Sequence, residues 1–384
     1  MTILYVSDST TVSGAEIVFL GYVEALRGRG HRPYGFISRR NPRLADALRE
    51  RGVPFVATDA YTPRVIRTTA NPAALASFAR SFIQVAREMS ALVREVGVEF
   101  IHSISYPASL YAALAASRCG VPQIWHEHNI KHLHPVNKVI YRWVAGTCRW
   151  VVGPSDAVTN NLARAGIAPG TLRTIYNGID LTRFSVCSPA GVDAVRSDLR
   201  LAPGDHSIGL FGQMLPYKGH GTLIDAAPAI LREHPRSRFY FVGALENPPY
   251  ERELRARITA AGLSDRFAFT GWRPDVQGVV RAMDVVVVAT VTPEPAALML
   301  MEAMAVGRPV VATRTGGTSE IVIDEETGLL FGPGSADELA ERVNRILGNP
   351  EMARSFGLAG RRRVETRFAR EQHFSEMFAL YEAP

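Results

Sequence analysis

Glu294 and Glu302 stand eight positions apart in Pro293-Glu294-Pro295-Ala296-Ala297-Leu298-Met299-Leu300-Met301-Glu302, where an apolar strand pattern gives way to an apolar helix pattern. Acidic side chains in such surroundings are costly to desolvate unless hydrogen-bonded, so both are expected to face a polar ligand at the mouth of a sheet. An ionised carboxylate offers two acceptor oxygens suited to neighbouring hydroxyls. The plainer alternative is a helix-capping glutamate followed by an exposed one.

The cations point the same way. Only three of the 43 cationic residues are lysine, namely Lys131, Lys138 and Lys218. Lys218 lies in Pro216-Tyr217-Lys218-Gly219-His220, between a strand and a helix, where a compact ammonium can approach an anionic diphosphate. Gly14, at the first strand-to-helix turn, and Gly316-Gly317, after a later strand, offer bare backbone for close approach to phosphate or sugar. Solvated lysine and simple tight turns are the competing readings.

Four histidines crowd into Trp125-His126-Glu127-His128-Asn129-Ile130-Lys131-His132-Leu133-His134. Imidazoles beside a glutamate suit zinc, whereas a position at the carboxyl edge of a sheet suits contact with an organic ligand.

Short β-branched runs alternate with helical stretches in two series, the pattern of parallel sheets covered by helices on both faces. Strands are expected near 2–7, 33–37, 99–103, 121–126 and 149–152, then near 207–211, 237–242, 266–269, 284–289 and 309–312. Helices are expected near 14–28, 42–51, 73–96, 107–118 and 155–165, then near 219–233, 250–262, 275–282, 297–306 and 336–347. Asn177-Gly178 and Ser188-Pro189-Ala190-Gly191 mark a hinge near 177–190. The expected domains are 1–185 and 186–365, with a helix in 366–384 packing back across the seam.

Length and a 47% hydrophobic content allow two cores. Cys119, Cys148 and Cys187 are widely spaced and odd in number, which argues against a disulfide framework and for a reducing cytoplasm. Met1 to Asp8 reads as a first strand and not a signal peptide, and no apolar run approaches the roughly 20 residues of a membrane span. The net charge of +6 comes without a basic stripe interleaved with aromatics, so it favours an anionic small substrate or lipid surface over nucleic acid.

Ser13-Gly14-Ala15-Glu16, Asn177-Gly178-Ile179-Asp180, Gly212-Gln213…Lys218-Gly219, Glu294…Glu302 and Gly316-Gly317 occur in the order and spacing of the retaining family 4 glycosyltransferases, which nearly the whole chain resembles. The resemblance implies an α/β GT-B fold, two Rossmann-like doubly wound parallel-sheet domains facing a central cleft. It implies a hexosyltransferase that moves sugar from a nucleoside-diphosphate sugar to a glycan, glycolipid or small-molecule hydroxyl. It assigns Glu302 to the ribose hydroxyls and Glu294 to the transferred sugar. The amides of Ala297 and Leu298 fall to phosphate or sugar oxygens, with Lys218 and Gln213 on the diphosphate. His128, with His126 as the alternate, contacts the sugar.

No cofactor or metal is expected, only the co-substrate, a UDP- or GDP-sugar. Two departures stand out: relatives usually carry Arg at the place of Gln213 and Phe-Gly at that of Ala296-Ala297. Arg273 is the expected substitute for the first, and a changed donor pocket the expected result of the second. A catalytically silent nucleotide-sugar-binding subunit and a sugar-nucleotide epimerase are the alternative functions. Arg39-Arg40, Arg64, Arg67 and Tyr106 are acceptor-side candidates, and the amphipathic stretch from Ala73 to Val96 either covers the sheet or touches a membrane.

Overall fold

A computed structural model of the chain describes residues 1–11, 14–61, 72–131, 133–185, 189–245 and 247–382; Ser13, Arg64, Arg67, His132, Cys187 and Ser188 lie outside them. It divides into two compact units, residues 1–176 with 374–384, and residues 177–373. The chain thus changes unit at 176/177 and 373/374, against the 185/186 and 365/366 expected from sequence.

In the first unit, seven parallel strands are β1 (Thr2–Ser7), β2 (Arg32–Ser38), β3 (Phe55–Thr58), β4 (Phe100–Ser103), β5 (Gln123–His126), β6 (Cys148–Gly153) and β7 (Leu172–Thr174), in the order β3-β2-β1-β4-β5-β6-β7. In the second, six parallel strands are β8 (His206–Phe211), β9 (Ser237–Val242), β10 (Phe267–Gly271), β11 (Val285–Val288), β12 (Val310–Thr313) and β13 (Leu329–Phe331), in the order β10-β9-β8-β11-β12-β13. Strand order reverses between β1 and β4 and between β8 and β11, and crevices beyond the carboxyl ends at such points are where these sheets take ligands.

Val285-Val286-Val287-Val288 reads as an unbroken apolar run because both faces of β11 are covered. Leu223, Ile230, Leu254, Val343 and Phe356 build one core of that unit with strand residues Phe239 and Val287. In the first unit the helix Pro72–Val96 lays Val85, Met89, Leu92 and Val93 on the sheet, so the apolar face of the Ala73–Val96 stretch is used as a sheet cover.

Eight strands and α-helices went unforeseen; three are the short elements Leu181–Ser185, Thr318–Ile321 and Leu329–Phe331, and the other five have two physical reasons. The strands Phe55–Thr58 and Leu172–Thr174 are short, half-buried edges with little apolar signal. The helices Pro135–Ala145, Pro189–Asp198 and Pro350–Arg367 each open on a proline, which suits a first helical turn, whose amide needs no intrahelical partner; Pro189 belongs to the segment read in the sequence as a break. Asn349 caps the last of them by accepting from the Met352 amide.

Asn177-Gly178-Ile179-Asp180 is less a free hinge than a dock within the second unit. Ile179 exchanges backbone hydrogen bonds with Phe368 and Arg370, and Asp180 accepts from the Arg370 guanidinium at 2.6 Å. A Cβ at Gly178 would collide with the Ala369 carbonyl and the Arg370 Cα, so close approach of the returning chain requires the glycine.

Candidate active site

At the reversal point of the second sheet, the chain leaving β8 runs through Gly212-Gln213 to a turn of 3₁₀ helix at Pro216–Lys218, and the chain leaving β11 runs through Thr290 to Glu294. The Val291 amide donates to the Tyr217 carbonyl at 2.8 Å and joins the two turns. Lys218 Nζ lies 2.8 Å from Glu294 Oε2, which also accepts from the Thr290 hydroxyl at 2.9 Å. Thr313 in turn donates to the Thr290 carbonyl. Lysine and glutamate, assigned separately to diphosphate and sugar, thus share one charge-assisted contact, and Thr290 fixes the rotamer of the acid.

Gly316 has φ +55°, and a Cβ there would overlap the Glu294 backbone. The Gly317 amide donates to the Glu294 carbonyl at 2.7 Å. The glycine pair, expected to bring bare backbone to phosphate or sugar, also grips the Glu294 turn. Gly219, at φ +76°, similarly lets the Lys218 turn meet the Ala289 carbonyl.

Beyond Glu294 the helix Leu298–Ala305 starts at Ala297, which provides no side-chain cap. An uncapped N-terminus presents donors and the positive end of the helix dipole. Glu302 lies one turn into this helix, half-buried among Leu300, Met301 and Ala303. Burial pushes its carboxyl up to about 7, offset in part by Arg183. No side chain of the described residues hydrogen-bonds that carboxyl. A buried acid held near neutrality suits a role in which ligand hydroxyls supply the missing donors.

The Arg273 guanidinium is forked onto Asp275 at 2.7 and 2.8 Å and bonded to Asp198 at 2.7 Å. Those carboxylates raise its pKa further, and the three side chains together carry net negative charge, so a diphosphate would have to compete with both acids for this arginine. Gln213 lies half-buried at the end of β8.

In the first unit, Gly14 opens the helix Gly14–Gly28 and is exposed. His126 ends β5, and the His126 and His128 rings are 4.1 Å apart. Their loop is bolted by Glu127, a completely buried acid that accepts from Trp125 Nε1, the Asn129 amide and Lys131 Nζ. Asn161 brackets Lys131 by accepting from its amide and donating to its carbonyl. Among the described residues no three metal-ligating side chains converge. Thr290, Arg183 and Asn161 escaped the sequence reading, which took Glu127 only as a companion of the zinc-suited imidazoles; of the three, only Thr290 left a local sign, a hydroxyl at the end of an apolar strand four residues before Glu294.

Two doubly wound parallel sheets, with polar groups gathered beyond the reversal point of the second, define the GT-B class of glycosyltransferases. The Glycosyl transferases group 1 profile matches residues 192–363, and the Glycosyltransferase Family 4 profile matches residues 12–183. The chain is 30% identical over 245 residues to the lipopolysaccharide core biosynthesis mannosyltransferase LpsB of Rhizobium meliloti, covering 62% of this chain and 68% of the relative. It is 27% identical to alpha-maltose-1-phosphate synthase of Mycobacterium tuberculosis, covering 83% and 85%. The crystal structure of Anabaena Alr3699/HepE in complex with UDP has the same fold, with a TM-score of 0.85 at 24% identity and complete coverage of both chains. The protein belongs to the group 1, family 4 glycosyltransferases and is a hexosyltransferase.

Proposed function

We propose that the protein moves a hexose from a UDP- or GDP-sugar to a hydroxyl of a glycan, glycolipid or small-molecule acceptor in the cytoplasm, with retention of anomeric configuration and without a divalent cation. The observation that carries this reading is the arrangement inside the second unit: the Lys218–Glu294 pair joins the turns that leave β8 and β11, and the uncapped helix start and half-buried Glu302 follow Glu294.

Departure of the nucleoside diphosphate builds negative charge on phosphate and positive charge on the anomeric carbon. Lys218 and the amides of Ala297 and Leu298 stabilise the first, as fixed donors pointed at developing charge do. Glu302, once ionised, accepts from the ribose hydroxyls. Glu294, oriented by Thr290, accepts from hydroxyls of the transferred sugar. The acceptor attacks from the face the leaving group vacates, and a departing phosphate oxygen takes its proton. By the family resemblance, His128 contacts the sugar and Gly14 the diphosphate. Ala297 is buried and small where relatives carry glycine, and we place donor choice at Ala296-Ala297.

The test is incubation with UDP- and GDP-hexoses and an acceptor panel in the presence of EDTA, with anomeric configuration read by proton NMR. Release of nucleoside diphosphate matched by a product of unchanged configuration is expected. An inverted product, or release that EDTA abolishes, contradicts the reading.

A further inference from the structure

The helix Pro135–Ala145 exposes three large apolar side chains, Val136 at 60%, Val139 at 58% and Trp143 at 45%. Their i, i+3, i+7 spacing places them within an arc of about 60° at 3.6 residues per turn. The opposite face is conventional core: Tyr141, Val144 and Ala145 are buried against Trp125, Val151 and Leu162. The stripe is therefore a second apolar face that folding of the unit does not use.

The charge beside it has one sign. Lys138 and Arg142 lie on the same helix, both on the Val139 side of the stripe, and no acidic residue occurs between Glu127 and Asp156. Neither cation has an ion-pair partner among the described residues. Trp at the edge of an apolar stripe and long basic side chains beside it are what a bilayer interface accommodates, since the indole spans the apolar-to-wet boundary and the cations reach headgroup phosphates.

We propose that this helix seats the protein on a bilayer carrying anionic headgroups, with Val136, Val139 and Trp143 entering the interface and Lys138 and Arg142 facing lipid phosphate. A second copy of the chain fits less well. An antiparallel two-fold contact through this face would set the basic sides of two identical helices together with no carboxylate of either helix between them. Nucleic acid would engage the cations and leave the stripe in water. The surface is independent of the transfer chemistry, and its test reads neither donor nor acceptor.

The experiment is co-sedimentation of the full chain with vesicles of phosphatidylcholine alone and of phosphatidylcholine with phosphatidylglycerol at 3:1, paired with sedimentation velocity without lipid. Wild type is expected to bind the mixed vesicles, to bind phosphatidylcholine alone far more weakly, and to lose binding as salt rises. The double variant Val139→Ser, Trp143→Ser should lower the partition coefficient at least tenfold. Lys138→Glu or Arg142→Glu should each lower it about fivefold or more. Val139, Arg142 and Trp143 are exposed and Lys138 is half-buried, and unchanged thermal melting and nucleotide affinity will show that the variants are folded. Absence of binding to the mixed vesicles, or equal binding by the apolar double variant, overturns the proposal. So does a lipid-independent dimer that the same double variant dissociates.

Discussion

Lys131 with Glu127 in the first unit and Lys218 with Glu294 in the second are the same two residue types at nearly the same separation, 3.0 and 2.8 Å. Their surroundings differ. Glu127 is fully enclosed, and an indole, a backbone amide and the ammonium hold it. Glu294 keeps 11% of its side chain exposed and Lys218 keeps 22%, and the groups that fix the acid leave one carboxylate oxygen without a side-chain donor among the described residues. A pair whose acid is wholly enclosed, though its ammonium keeps 15% exposure, holds a loop; a pair whose acid also reaches solvent can exchange partners with a substrate. The residue pair alone does not mark function; accessibility and leftover hydrogen-bonding capacity do.

That contrast breaks if the two glutamates respond alike to removal. Glu294→Ala should lower kcat about a thousandfold, the scale of losing a group that meets the reacting sugar, while moving the unfolding midpoint little. Steady-state kinetics beside urea unfolding will show both effects. Glu127→Ala should do the reverse and destabilise the protein by about 3 kcal/mol, because it leaves Lys131 and buried donors without their acceptor. Any activity loss there should follow the folded fraction.

The pH response sharpens the comparison further. Glu302 has its folded pKa raised to about 7, so its protonated form is the one the fold favours. Its contribution to stability is full below the ordinary carboxylate range and is lost as pH rises through about 7. Glu302→Gln should therefore melt higher than wild type at pH 8 and equally at pH 4. Nucleotide affinity should move oppositely, falling about tenfold from pH 8 to pH 6 as the carboxyl takes up a proton, since a group of pKa about 7 goes from mostly ionised to mostly neutral over that interval. Calorimetry in buffers of different ionisation enthalpy will register the proton released on binding. Thr290→Ala should lower kcat about fivefold with KM for the donor little changed, and Thr290→Ser should restore it. Arg273→Ala, the smallest expected effect, should leave nucleotide affinity within about twofold.

Both sheets were legible in the sequence because buried parallel strands read as apolar runs, as in Val285 to Val288. Edges such as Leu172–Thr174 were not, since a half-buried three-residue strand carries no such signal. Pro189 was read as part of a break, yet Pro135, Pro189 and Pro350 all open helices. Glu294, Glu302 and Lys218 stood out by chemistry, an acid or a rare lysine at a strand end. Their supports were harder to read: Arg183 acts on Glu302 from a segment distant in the chain, and Gly316 stood out as bare backbone and not for its contact with the Glu294 turn. Arg273 shows the converse, a cation whose charge looked available until Asp198, 75 residues away, was seen beside it. The membrane-facing candidate moved for the same reason: Pro72–Val96 turns its apolar face to the sheet, while the shorter helix Pro135–Ala145 leaves one outside.

The central claim is that the second unit holds a nucleoside diphosphate through Glu302 and the turn around Glu294. Calorimetric titration of UDP, GDP, ADP and dTDP into wild type and Glu302→Ala at pH 8, with and without EDTA, tests it most directly. The account predicts EDTA-insensitive binding of one nucleotide, weakened tenfold or more in the variant. Binding that Glu302→Ala leaves unchanged, or that EDTA abolishes, would contradict it.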